Sequence, residues 1–176
     1  MMADQKHWKI AGLVSVVLLL ALIFKGQSEE PAGIVWSAGD AKRAEYLSEG
    51  TDAPDFELPS VQGGHVRLSS FKGQRVGLAF VTPTCPYCND LERYLVEYEL
   101  PEGRRLLLVC RGEKDEVQQI VENHDLAIPV LVDSAGVVAQ AYQIGGVPQF
   151  YVVSEKGTIS SFARGMPPVW EAVQKL

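Results

Sequence analysis

Apolar residues gather along this chain in runs and stripes that spell out an alternating fold. Val76 to Val81 is a continuous apolar run of strand length, and Leu106 to Val109 is another, closed by Cys110. Such runs mark strands buried on both faces. Between them Leu91, Tyr94, Leu95 and Tyr98 recur at helical spacing. After the second run, Val117, Ile120 and Val121 predict an amphipathic helix over Lys114 to Asn123. Pro129 to Val132 reads as a short strand, and Val137 to Tyr142 as a short helix. Gln149 to Val153 and Thr158 to Ala163 form a strand pair around the turn Glu155-Lys156-Gly157, and Pro167-Pro168 opens a last helix ending at Leu176. The predicted order is β-α-β-α-β-α-β-β-α. Alternation of this kind implies an α/β domain, its sheet covered by helices on both faces and its last two strands antiparallel.

Two further patterns precede this core. Ala53 to Leu58, stopped by Pro59, and His65 to Leu68, after Gly63-Gly64, read as the two strands of an added N-terminal hairpin. Ile10 to Phe24 is apolar except for Gly12 and Ser15, with Lys6 and Lys9 before it and Lys25 after it. At 15 residues the run is short for a bilayer span, which takes about 20 residues, but flanking lysines snorkel and Trp8 suits an interface. No small-x-small cleavage site closes it, and no cysteine follows it to carry a lipid. We therefore expect an uncleaved signal anchor at 1–25, a Gly/Ser/Ala/Glu-rich tether at 26–50 and the folded domain at 51–176. Lys6 and Lys9 keep the N-terminus in the cytoplasm, so the domain is expected on the periplasmic side of the inner (cytoplasmic) membrane, where disulfides persist.

The chemistry concentrates at Cys85-Pro86-Tyr87-Cys88. Thr82-Pro83-Thr84 ends the buried strand, and Pro86 suits the first turn of the helix that follows, which puts Cys85 at the helix N-terminus. Unpaired N–H groups and the helix dipole favour a negative sulfur there. Cys88, one turn further on, is placed to attack a mixed disulfide on Cys85 and release the substrate. Cys85 is thus expected to attack and Cys88 to resolve. The third cysteine, Cys110, reads as a small buried hydrophobe at a strand end. One C-x-x-C and three histidines (His7, His65, His124) without ligand spacing do not make a zinc site. His65 and His124 are expected on the surface.

From about Gly50 to Leu176 the chain resembles the thioredoxin superfamily, in particular its membrane-tethered TlpA/ResA-like branch. The resemblance rests on Ala53-Pro54-Asp55-Phe56-Glu57-Leu58, Leu68-Ser69-Ser70-Phe71-Lys72-Gly73, Cys85-Pro86-Tyr87-Cys88 and Gly146-Val147-Pro148-Gln149-Phe150. Pro-Thr-Cys-Pro is also similar to the methylamine-utilisation accessory thioredoxin. The resemblance implies a thioredoxin-like fold with a central mixed sheet, and a cis Pro148 beside the sulfurs. It also implies substrate contacts at Val147, Pro148, Pro86 and Tyr87, with Val147 offering its main chain to an extended peptide. The implied partners are protein thiols and disulfides, in cytochrome maturation or the maturation of one dedicated enzyme, with a membrane thiol carrier supplying electrons. No cofactor is implied beyond the redox-active Cys85–Cys88 disulfide.

The chain also departs from the pattern. Ala79 stands where thioredoxins commonly carry a buried aspartate, Thr84 where many have tryptophan, and Leu91 where ResA-like proteins often have glutamate, with Glu92 one residue beyond. The family's usual proton acceptor for the resolving thiol is thus missing or moved, and Glu92, expected to be solvated as a helix charge, is a weak candidate for it.

A net charge of −6 with no basic stripe argues against nucleic acid. Two other functions deserve comparison. Peroxiredoxins share the Ala-Pro-Asp-Phe opening, and Thr82 is in register for their threonine, but Leu78 replaces the motif proline and no arginine follows Pro148 directly. A Sco-like copper-delivery protein, which is not an enzyme, would show three residues between its cysteines and a distal histidine. Here two residues intervene, and no histidine follows His124.

Overall fold

The computed structural model describes residues 46–176. The expected anchor lies outside the described residues, as does the tether up to residue 45. Among the described residues no helix is long and apolar enough to cross a membrane.

A two-stranded ladder comes first: β1 (Glu57–Pro59) pairs antiparallel with β2 (His65–Arg67). Regular pairing begins only at Glu57, later than the alternation from Ala53 predicts. The preceding backbone is engaged elsewhere, with Ala53 N–H donating to Gly157 O at 2.9 Å. The core elements follow as β3 (Arg75–Val81), α1 (Pro86–Glu97), β4 (Arg104–Cys110), α2 (Lys114–His124), β5 (Val130–Val132), α3 (Val137–Ala141), β6 (Gln149–Val153), β7 (Ile159–Arg164) and α4 (Pro168–Gln174). This is the predicted order of elements.

The main sheet has strand order β5-β4-β3-β6-β7. Strands β3, β4 and β5 are parallel, while β6 runs antiparallel to both β3 and β7. The sheet is therefore mixed, and the fold is thioredoxin-like. The period of two along each strand sorts the apolar side chains onto two faces. Ala79, Val81, Leu106, Leu108, Cys110, Val130, Val132, Phe150 and Val152 pack under the inward stripes of α1, α2 and α4. Leu78, Phe80, Leu107, Val109, Leu131, Tyr151 and Val153 pack under α3, Tyr142, Phe56 and Leu68. Both faces are covered, which is why β3 and β4 read as continuous apolar runs. Gly77 marks the tightest approach: a Cβ there would lie 2.7 Å from Phe150 Cζ and 2.8 Å from Leu176 Cδ2.

The segment before β3 touches both outer strands. Gly50 N–H donates to Ile159 O on β7, and Ile159 N–H donates back to Thr51 O. Further along, Val61 N–H donates to Val130 O, and Ser60 bridges Leu131 on β5.

Candidate active site

The sheet's central strand delivers the cysteines. β3 ends at Val81, Cys85 N–H donates to Thr82 O at 3.2 Å to close a turn, and α1 starts at Pro86. Cys85 is the N-cap, with extended backbone (φ −90°, ψ 112°). Its position leaves a first-turn amide facing the sulfur: Cys88 N–H donates to Cys85 Sγ at 3.2 Å. The same amide that caps the helix would stabilise a thiolate once the disulfide opens. Cys85 and Cys88 are joined in a disulfide, with Cα atoms 5.2 Å apart. Cys85 is partly exposed and Cys88 is fully buried. This asymmetry suits an outer sulfur that meets the partner and an inner one that resolves.

The loop before β6 completes the rim. The Val147–Pro148 peptide is cis, as the resemblance implies, and the Val147 carbonyl oxygen sits 3.8 Å from Cys85 Sγ. Pro86 and Tyr87 are exposed, with Tyr87 64% accessible. The structure thus places the Val147 carbonyl and its cis peptide to Pro148 beside Cys85, with Pro86 and Tyr87 between the two cysteines. A second cis peptide, Met166–Pro167, precedes α4.

Two residues differ from the sequence reading. Glu92 is 4% exposed rather than solvated. His124, expected on the surface, has a side chain only 14% exposed, and its Nε2 lies 3.5 Å from Glu92 Oε2. The cause is helical geometry. Cys88, Leu91, Glu92 and Leu95 follow the i, i+3, i+4, i+7 spacing of one inward stripe, and Val117, Ile120, Val121 and His124 repeat it on α2. Helical phase, not charge type, decides the burial of both side chains. Burial pushes the Glu92 carboxyl up to about 7.

Cys110 is fully buried. Burial, and then the negative charges of Glu92 and Glu116, push its thiol up to about 12, so it remains a protonated, inert thiol at neutral pH. His65 is exposed. Leu78, where the peroxidase motif has proline, is a buried mid-strand residue of β3.

Comparison with known proteins agrees with this geometry. The profile of the AhpC/TSA family matches residues 50–162. The thiol-disulfide oxidoreductase ResA of Geobacillus kaustophilus is 31% identical over 123 residues, covering 68% of this chain and 71% of the relative. The methylamine utilization protein MauD of Paracoccus denitrificans is 29% identical over 176 residues, covering 93% of this chain and 86% of the relative. In fold, the thioredoxin domain of a thiol-disulfide oxidoreductase from Bacteroides vulgatus superposes with a TM-score of 0.64 at 23% identity, covering 73% of this chain and 97% of that one. A disulfide-bonded C-x-x-C capping a helix beside a cis-proline, on a domain of this ancestry, identifies the chain as a member of the AhpC/TSA family with a thioredoxin-like domain of the thiol–disulfide oxidoreductase kind.

Proposed function

We propose that this protein exchanges electrons between its Cys85–Cys88 pair and cysteines of other proteins, outside the cytoplasm, while residues 1–25 hold it in the inner membrane. The observation that carries the reading is the Cys85–Cys88 disulfide at the N-terminus of α1, with one sulfur accessible and one buried. Cys85 attacks the partner, and Cys88 resolves the mixed disulfide. Val147 and Pro148 on one side, and Pro86 and Tyr87 on the other, receive the partner's extended chain around the reacting sulfur. The partners are proteins whose cysteines are paired or reduced during maturation, cytochromes and secreted enzymes among them. A membrane dithiol carrier restores the pair. Localisation rests on the apolar run Ile10 to Phe24 and its basic flank. The ladder of β1 and β2 is the hairpin added in front of the thioredoxin-like core.

The test is exchange between the purified full-length protein and a disulfide-bonded protein substrate in a defined thiol buffer. Cys85→Ser is expected to abolish exchange, and Cys88→Ser to trap a mixed disulfide on Cys85 visible by non-reducing electrophoresis. Wild-type protein that forms no reversible Cys85–Cys88 disulfide would overturn the reading. The midpoint of the same titration gives the direction of flow, since pairs in this fold span about −270 to about −120 mV.

A further inference from the structure

The loop that carries Val147 to the reacting sulfur has little of its own to hold it. Gly145 and Gly146 come directly before Val147 and Pro148, and glycine has neither a side chain to pack nor a restricted backbone. Yet the Val147 carbonyl oxygen stands 3.8 Å from Cys85 Sγ. The hold comes from the end of β7. Arg164 pairs with Gln149 in the register of β6 and β7, and the next residue, Gly165, donates its N–H to Pro148 O at 2.9 Å. The Arg164 side chain reaches the loop itself: Nη2 donates to Gly145 O at 3.2 Å, and Nη1 donates to Tyr46 Oη at 2.8 Å. A planar guanidinium serves two acceptors in fixed directions. Gly146 makes room for it, since a Cβ there would lie 2.8 Å from Arg164 Nη2. Both bonds are exposed to water, so they add little to stability; what they fix is direction. Tyr46 is fixed in turn. Its ring stacks on Phe162 of β7 with centroids 4.2 Å apart, and Leu47 N–H donates to Tyr151 Oη of β6 at 3.4 Å. Residues 46 and 47, expected in the tether, are thus built into the frame of the site. Neither Tyr46 nor Arg164 falls within residues 50–162, the span of the family match.

We propose that Arg164, braced by Tyr46, is a positioning residue for the exchange: it fixes the loop Gly145 to Val147 so that the Val147 main chain can pair with the extended segment around a partner's cysteine. This rests on the exchange reading above. Arg164 acts through Gly145 and Val147, not on the sulfurs. Its contribution therefore belongs to substrates that present a peptide main chain beside the reacting disulfide. A small disulfide, which has no main chain to pair, reacts at Cys85 without it. The brace thus favours extended protein segments over small disulfides, and it does so through two residues that lie on either side of the matched domain in sequence and meet beside the loop.

The experiment compares two chromogenic probes on the reduced full-length protein in detergent, by stopped flow. One is a symmetric aromatic disulfide. The other is a short synthetic peptide whose central cysteine carries the same aromatic thiol as a mixed disulfide. With either probe the Cys85 thiolate attacks one sulfur, a bond to Cys85 forms, the probe's S–S bond breaks, and the aromatic thiolate leaves. The readout is the ratio of the two second-order rate constants. Arg164→Ala should lower the peptide rate about tenfold, the factor that corresponds to about 1.4 kcal/mol, and leave the small-disulfide rate within about twofold. Gly146→Ala should copy it, because the added methyl displaces the flexible end of Arg164 rather than any backbone. Tyr46→Phe keeps the stack on Phe162 and loses only the acceptor, so its loss should be smaller, about threefold. An unchanged ratio in Arg164→Ala, whether both rates fall or neither does, overturns the inference and leaves the exchange reading intact. Release of no thiolate from either probe by the wild type would instead sink the exchange reading. If Arg164→Ala fails to fold, as judged by circular dichroism, Gly146→Ala and Tyr46→Phe decide: a ratio unchanged in both overturns the brace.

Discussion

The two faces of the central sheet bury polar groups in opposite ways. Around α3 the buried polar groups are held to backbone: the Asp133 carboxylate accepts from Val138 and Ala139 N–H, and two phenols donate to carbonyls. Tyr142 Oη donates to Pro54 O at 2.9 Å, and Tyr151 Oη donates to Tyr142 O at 2.9 Å while accepting from Gln149 Nε2. Phe56, Phe80 and Phe162 pack around them at ring-centroid distances of 5.1 to 6.2 Å. Burial raises both phenols further above neutral pH, so both stay protonated there. Under α1 and α2 lie the Glu92 carboxyl facing the His124 imidazole, the Cys85–Cys88 disulfide and the buried Cys110 thiol. One face holds its polar groups on the backbone, while the other holds the Cys85–Cys88 pair. The difference lies in partner type: each phenol donates to a backbone carbonyl, whereas the Glu92 carboxyl faces the His124 imidazole.

Mutations sharpen this contrast. The largest effect on folding is expected on the static face. Phe80→Ala removes a fully buried ring between Tyr142 and Tyr151 and should cost about 3–5 kcal/mol in urea unfolding. The Cys85/Cys88 potential of the folded fraction should be unchanged, and a shift would mean that the faces are coupled. On the active face, Glu92→Gln should reverse the usual sign. The Glu92 pKa in the folded protein, about 7, lies above its ordinary value of 4.5. The group therefore favours folding fully below pH 4.5, and that contribution is lost as pH rises through 7. Glutamine does not ionise, so the variant should match the wild type near pH 4 and exceed it by on the order of 2 kcal/mol at pH 8. Equal stability curves at both pH values would show that ionised Glu92 is fully compensated by His124. The smallest effect is Tyr142→Phe, which leaves the Pro54 carbonyl without its donor and should cost about 1 kcal/mol at every pH between 5 and 9.

Much of this was legible in the chain itself. The apolar runs that became β3 and β4 announced strands covered on both sides, and Pro86 placed Cys85 at a helix start before any coordinates. The cis Pro148 came from resemblance rather than from a physical signal, because a proline opening a strand reads the same in either isomer. Strand direction was only partly readable. Alternation predicted the parallel β3, β4 and β5, but nothing local to Gln149–Val153 says that β6 returns antiparallel beside β3. Glu92 and His124 were misread for a different reason. Side-chain polarity sets the average cost of burial, whereas helical phase sets where a side chain points. At the end of α2 and in the middle of α1, phase prevailed.

The run from Gly50 to Val61 reaches from the β7 side of the sheet to β5. Outer strands offer unpaired amides and carbonyls to any other extended chain, including a second copy of the same protein. Here one short stretch occupies part of both rims. It acts as a guard against self-association, placed ahead of the first core strand in the order of synthesis. Trimming a fragment back to β3 would therefore strip these contacts from both rims at once.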